Sequence, residues 1–133
     1  MRKHILESIK YECFVHLKPS LVCDGVGVFA LRPIKQGTVL FADVVPDRDF
    51  TTWDSLVGTD PKVISYLKKM CNISENGIYL SQTVNNINLS YYVNHSNQPN
   101  VFHNREVDRF ITIKDIFEGE EILCKYESDE IDW

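Results

Sequence analysis

The sequence lacks any apolar run long enough to cross a bilayer, because Asp, Lys, Arg or Asn interrupts every hydrophobic stretch of its 133 residues. Its start, Met1-Arg2-Lys3-His4-Ile5-Leu6-Glu7-Ser8, lacks the greasy segment of a signal peptide, since Glu7 puts a charge there. A soluble, intracellular protein is expected, with nucleus and cytoplasm not distinguished. Cysteine is sparse: Cys13, Cys23, Cys71 and Cys124 lie far apart and form no C-x-x-C pair. Zinc ligands usually come in close pairs, so no metal is expected and free thiols are the better reading. A basic surplus is missing too. The 14 Lys and Arg residues against 19 Asp and Glu give a formal net charge of −5, which argues against direct nucleic-acid binding. That sign suits a basic protein partner and equally well mere solubility. Repeats, low-complexity tracts and linkers are also missing, so residues 1–133 read as a single domain, and 44% apolar content suffices for one core.

What is present reads as short strands around one helix. Phe14-Val15-His16-Leu17, Leu21-Val22-Cys23, Gly25 to Ala30 and Thr38 to Phe41 are β-prone pieces punctuated by Pro19-Ser20, Pro33 and Gly37. Ile78-Tyr79-Leu80, Phe110 to Ile113 and Ile122 to Cys124 continue the series. A helix is expected from Pro61, with Asp60 capping its free amides and Val63, Ile64, Leu67, Met70 and Cys71 forming one apolar stripe. Asn72 to Gly77 carry the turn chemistry that ends it. The expected class is α+β, weighted towards β.

Three segments carry candidate chemistry. Gly25-Val26-Gly27 permits tight turns and close approach of a ligand to main-chain groups, although a plain hairpin turn explains it as well. Neither a third Gly nor an opening helix follows, so it is not a dinucleotide fingerprint. Asn94-His95-Ser96-Asn97-Gln98-Pro99-Asn100 is rich in donors and acceptors, and Pro99 keeps Gln98 out of helix. Gly119-Glu120-Glu121-Ile122-Leu123-Cys124-Lys125-Tyr126 is an acidic turn feeding a strand that ends in tyrosine. Each taken singly is also an ordinary turn, loop or strand.

In this order and at these separations the three segments resemble the SET-domain family of protein-lysine methyltransferases, over roughly residues 18–127. Asn88-Leu89-Ser90-Tyr91-Tyr92-Val93 parallels the family's lead-in to the Asn-His element. The resemblance implies a β-clip-like fold of small curled sheets, a helical insert at about 46–80 and a C-terminal pseudoknot that joins Asn94, His95 and Tyr126. It implies S-adenosylmethionine (SAM) as methyl donor, held by the backbone around Gly25, Val26 and Gly27, by Asn94, and by the main chain of His95. Tyr91 and Tyr92 would complete that pocket. Tyr126 would be the central catalytic tyrosine, in a lysine channel shared with Cys124 and Tyr92. The partner would be a lysine-containing protein, with histone open among other substrates.

The sequence also departs from the family. Asn97 stands where many members carry a zinc-binding cysteine, and no cysteine follows Tyr126, so the zinc-bearing flap is expected to be absent. The tail 127–133 would then supply a wall, with Trp133 stacking on the adenine, or a second subunit of a homodimer would. Tyr91 replaces an arginine and cannot pair with a carboxylate as Arg does. Lys125 replaces an aspartate. Cys124, smaller than the usual Phe or Tyr, is expected to leave room for di- or trimethylation, and a buried structural Cys fits equally well. The alternative reading is a catalytically weak or inactive SET-fold binding module acting through a partner.

Overall fold

The computed structural model describes residues 2–42, 44, 49–80 and 84–126. Val26-Gly27-Val28-Phe29-Ala30 shows no polar alternation, and the structure gives the reason. As strand β2 (Val26–Ala30) it lies between β1 (Val15–Pro19) and β10 (Glu121–Cys124), and everything after Val26 is buried. Both pairings are antiparallel, with Leu17 opposite Val28 and Ile122 opposite Val28 on the other side. Pro19 sits at the end of an edge strand, where a missing amide costs no ladder bond. The sheet closes with β7 (Asn94–His95), parallel to β10.

A second sheet orders β3 (Val39–Leu40), β9 (Arg109–Thr112) and β8 (Val101–Asn104). Two similar corners tie the sheets together. Ile34 and Ile116 exchange backbone bonds of 2.9 and 2.8 Å, and each leads to a glycine with positive φ three residues on, Gly37 and Gly119. At those angles a side chain would be strained, so glycine is the residue the corners require. Between the sheets Val28, Ala30, Leu40, Val93, Val101, Phe110, Ile122 and Cys124 form the main core with the two isoleucines. Burying one such side chain stabilises by about 1.5–3 kcal/mol.

The insert is a small unit with its own packing. Strands β4 (Asp49–Thr52), β6 (Gly77–Leu80) and β5 (Asn72–Ile73) form a third sheet in that order, beside helix α2 (Pro61–Met70). Leu67, Cys71, Ile73 and Ile78 make its core, joined by Trp53, Leu56 and Tyr91. The cap is the expected one: Asp60 Oδ1 accepts from the Lys62 amide at 2.8 Å.

Two departures from expectation have physical causes. Leu21-Val22-Cys23 is not a strand but part of the β1–β2 hairpin loop, closed by Ser20 N to Gly25 O at 2.7 Å. Its β-propensity loses because the Leu21 amide donates to a side chain, the Glu121 carboxylate, instead of a ladder. Helix α1 (Arg2–Tyr11) was not signalled; its Ile5, Leu6 and Ile9 stay exposed, so no buried stripe set its period. Among the described residues no helix is long and apolar enough to cross a membrane.

Candidate functional site

Strand β10 is the axis of the site. On one side it pairs with β2; on the other, residues 94–100 clasp it. Leu123 and Cys124 lie opposite Asn94 and His95. Beyond them Ser96 N donates to Cys124 O at 2.9 Å and Asn100 N to Leu123 O at 3.0 Å. The buried Asn100 side chain then imitates another strand, donating to Glu121 O and accepting from Leu123 N, both at 2.8 Å. This clasp matches the pseudoknot that the family resemblance implies, and the Asn100 bonds explain why an Asn follows Pro99. A buried backbone amide or carbonyl left without such a partner is costly.

At the hairpin end of β10, four of the expected residues meet. Gly25 and Val26 are exposed at the loop exit, and Gly27 is buried beneath them. Asn94 Nδ2 donates to Val26 O at 3.1 Å, Ser20 Oγ at 3.2 Å and Glu121 Oε2 at 3.1 Å. Glu121, only 6% exposed, also accepts from Ser20 Oγ and Leu21 N, each at 2.8 Å. A Cβ on Gly27 would overlap that carboxylate and press on the Asn94 amide, so the glycine is fixed by the chain's own Glu121. Sequence reading took Glu121 only as part of an acidic turn feeding a strand. The signal that separates it from Glu118 and Glu120 is register: it is the first residue of β10 and opposite Phe29.

At the other end, Tyr126 is anchored twice. Its amide donates to His95 Nδ1 at 2.9 Å and its hydroxyl to Val93 O at 2.6 Å. The first bond makes Nδ1 the acceptor, which puts the proton of a neutral His95 ring on Nε2. The two rings lie 5.2 Å apart. Tyr126 faces a cleft of about 70 Å³, whose walls include Cys124 and Val93, Tyr91, the end of α2 at Lys69 to Asn72, and His103 with Asp108. That volume holds a small group such as an aliphatic amine tip, not a nucleotide-sized ligand.

Tyr91 thus lines the Tyr126 cleft and packs on the insert core, while Tyr92 packs on the main core and is not part of the cleft wall. Cys124 is buried at the cleft wall, and none of the four cysteines is disulfide-bonded. Trp133 and the tail 127–133 lie outside the described residues, as do Gln82 and Thr83. His103 and Asp108 were not among the expected site residues; nothing in a short V-F-H-N strand marks them.

The hairpin end suits a ligand with a cationic amine. Asn94 spends its Nδ2 within the protein, while its Oδ1 accepts from no described residue. The amino acid portion of SAM carries such an amine, and the Asn94 Oδ1 acceptor fits it.

The comparisons agree with this geometry. The family model described as SET domain matches residues 25–127. No curated protein sequence matches the chain. Among solved structures, the methyltransferase domain of human PR domain-containing protein 2 is similar with 23% identity and a TM-score of 0.55, covering 95% of this chain and 84% of that one. A Plasmodium falciparum protein provisionally assigned as a histone methyltransferase is similar with 19% identity and a TM-score of 0.56, over 86% of this chain and 94% of that one. The Polycomb repressive complex 2 of Chaetomium thermophilum is similar with 24% identity and a TM-score of 0.61, over 89% of this chain but only 16% of that one.

Proposed function

The chain belongs to the SET-domain family, and from that premise we propose that it transfers methyl groups from SAM to the ε-amino group of lysine in a protein substrate. The observation that carries the reading is the clasp around β10. It joins Asn94 at the hairpin end to Tyr126 at the cleft through only three consecutive rungs of backbone and side-chain bonding: Leu123 with Asn94, Cys124 with His95, and Tyr126 N with His95 Nδ1. A ligand at one end and an amine at the other would meet across that strand.

SAM, when bound, supplies an electrophilic methyl. The protein's part is to hold and align. Asn94 Oδ1 accepts from the cofactor's amine, with Glu121 keeping the amide from rotating. The Gly25–Val26 main chain and the His95 backbone border the rest of the pocket. Tyr126, its hydroxyl fixed on Val93 O, sets where the reacting carbon lies. The substrate amine must be neutral when it attacks, although a free lysine titrates near ~10.4. On the side of Val93, Cys124 and Phe110 the cleft wall desolvates the amine and disfavours its ammonium form, while Lys69 on the same wall adds like charge. Alignment of two reactants contributes up to roughly 7–11 kcal/mol at the limit. The modest bulk of Cys124 supports di- or trimethylation. The likeness to a protein assigned histone methyl transfer supports a histone as substrate, and the likeness to a Polycomb complex supports action beside partner subunits.

The test is transfer from labelled SAM to core histones, beside Tyr126→Phe. Native protein is expected to label lysine, and the variant to lose about 10²–10³-fold in kcat with SAM affinity kept, as when one aligned hydroxyl is removed. SAM binding without transfer to any lysine-rich protein would favour the inactive binding module. Full turnover in Tyr126→Phe would remove the tyrosine from its role.

A further inference from the structure

His103 on β8 and Asp108 in the β8–β9 turn belong to none of the motifs above, yet they make an ion-pair-like contact. Nε2 and Oδ1 are 2.7 Å apart, with the side chains 11% and 22% exposed. The imidazole lies flat on Phe110, with 4.3 Å between centroids and 6° between planes, which favours this orientation. Asp108 holds φ +50, a left-handed conformation that costs a non-glycine residue free energy. Aspartate is among the residues that adopt this conformation in hairpin turns. Here it returns the carboxylate across the turn to the ring, at the wall of the same cleft as Tyr126 and Cys124.

The direction of the contact matters. A neutral ring that donates Nε2–H to Asp108 offers Nδ1 as an acceptor. Nδ1 has no hydrogen-bond partner among the described residues. The same cleft is where the proposed reaction needs an ammonium to lose a proton, and desolvation alone leaves that proton without a destination.

Resting on the methyl-transfer reading, we propose that His103, oriented by Asp108, accepts the proton that the substrate lysine loses before transfer. The ammonium N–H bond breaks and an Nδ1–H bond forms. The lone pair stays on the lysine nitrogen and makes it the nucleophile. The Asp108 carboxylate balances the imidazolium, which passes its proton to solvent at the cleft mouth. The other titratable groups lining the same cleft are Lys69 from α2, Tyr91, Cys124 from β10 and Tyr126, and Arg105 of the β8–β9 turn has an interaction of its own. Arg109 of β9 is turned aside, its Nη1 donating to Val44 O at 2.8 Å.

Two measurements test this. In ¹⁵N imidazole spectra of the protein alone, His103 is expected as the Nε2–H tautomer, and added n-butylamine should shift its Nδ1 signal. An Nδ1–H tautomer, or an Nδ1 signal indifferent to the amine, would overturn the proposal. Kinetics with labelled SAM and core histones then compare native protein, His103→Gln and Asp108→Asn. His103→Gln should lose about 10²-fold in kcat/KM near neutral pH. The loss should narrow towards about pH 10, where lysine begins to deprotonate unaided. SAM affinity should not change. Asp108→Asn keeps the fold, because Asn tolerates the left-handed region, and should show a smaller loss of the same form. A loss equal at every pH would mean that the pair is only a wall, and no loss would dismiss it. Silence of the native protein on histones and on every other lysine-rich protein tried would instead sink the methyl-transfer reading beneath it.

Discussion

At Glu121 three donors from separate parts of the chain converge on one carboxylate: the Ser20 hydroxyl, the Leu21 amide and the Asn94 amide group. The carboxylate therefore ties the β1–β2 loop to the Asn94 side chain and leaves no room for a side chain at position 27. Removing it strands buried donors, each worth about 1–3 kcal/mol when unsatisfied. Glu121→Ala is expected to lower unfolding stability by about that amount for one to two donors, read by urea titration. It should also weaken SAM binding, while Glu121→Gln, which keeps one acceptor oxygen, should recover part of both. Unchanged SAM affinity in the alanine variant would separate the network from the cofactor pocket. Gly27, Asn94, His95 and Tyr126 could be singled out as candidates through the family resemblance, whose most specific part is the Asn94 to Asn100 segment. Glu121 could not, since Glu118, Glu120 and Glu121 are chemically alike and only the entry of β10 under the hairpin buries the last of them. His103 was illegible for the same kind of reason, as its partner and its stacking face come from the neighbouring strand and turn.

At the scale of elements, α2 was readable because its signals are local: a cap at Asp60, Pro61 at the first position and a single apolar stripe. Strands β5 and β7, two residues each, carry no periodicity of their own and exist only because a neighbour pairs with them. The insert sheet illustrates how tightly such pairing is made. Gly77, opposite Thr52 on β4, sits so close to the Thr51 carbonyl that a Cβ there would overlap backbone. Backbone cannot give way as a flexible side chain does. Gly77→Ala should destabilise the protein by about 1–3 kcal/mol through overpacking. Hydrogen exchange is expected to quicken across Asp49–Thr52 and Gly77–Leu80, with β2 and β10 unaffected. Faster exchange throughout both sheets would show instead that the insert and the main core unfold as one.

For the whole molecule, a net charge of −5 favours encounter with a basic substrate without selecting one. If that field assists association, KM for core histones should rise between about 0.01 and 0.1 M salt, as the screening length falls from about 30 to 10 Å, with kcat steady. A flat KM would confine recognition to the cleft and its rim. The sequence by itself determined the β-weighted class, the single capped helix, the order of the three motifs and hence the family, because these depend on residues close together in the chain. Only the tertiary structure decided which of three glutamates is buried, that Tyr91 faces the cleft while Tyr92 fills the core, and that a histidine and an aspartate five residues apart meet beside Tyr126. Those outcomes depend on strand register and on the clasp around β10, where residues about thirty positions apart share hydrogen bonds, and such long-range pairing leaves no mark in local sequence.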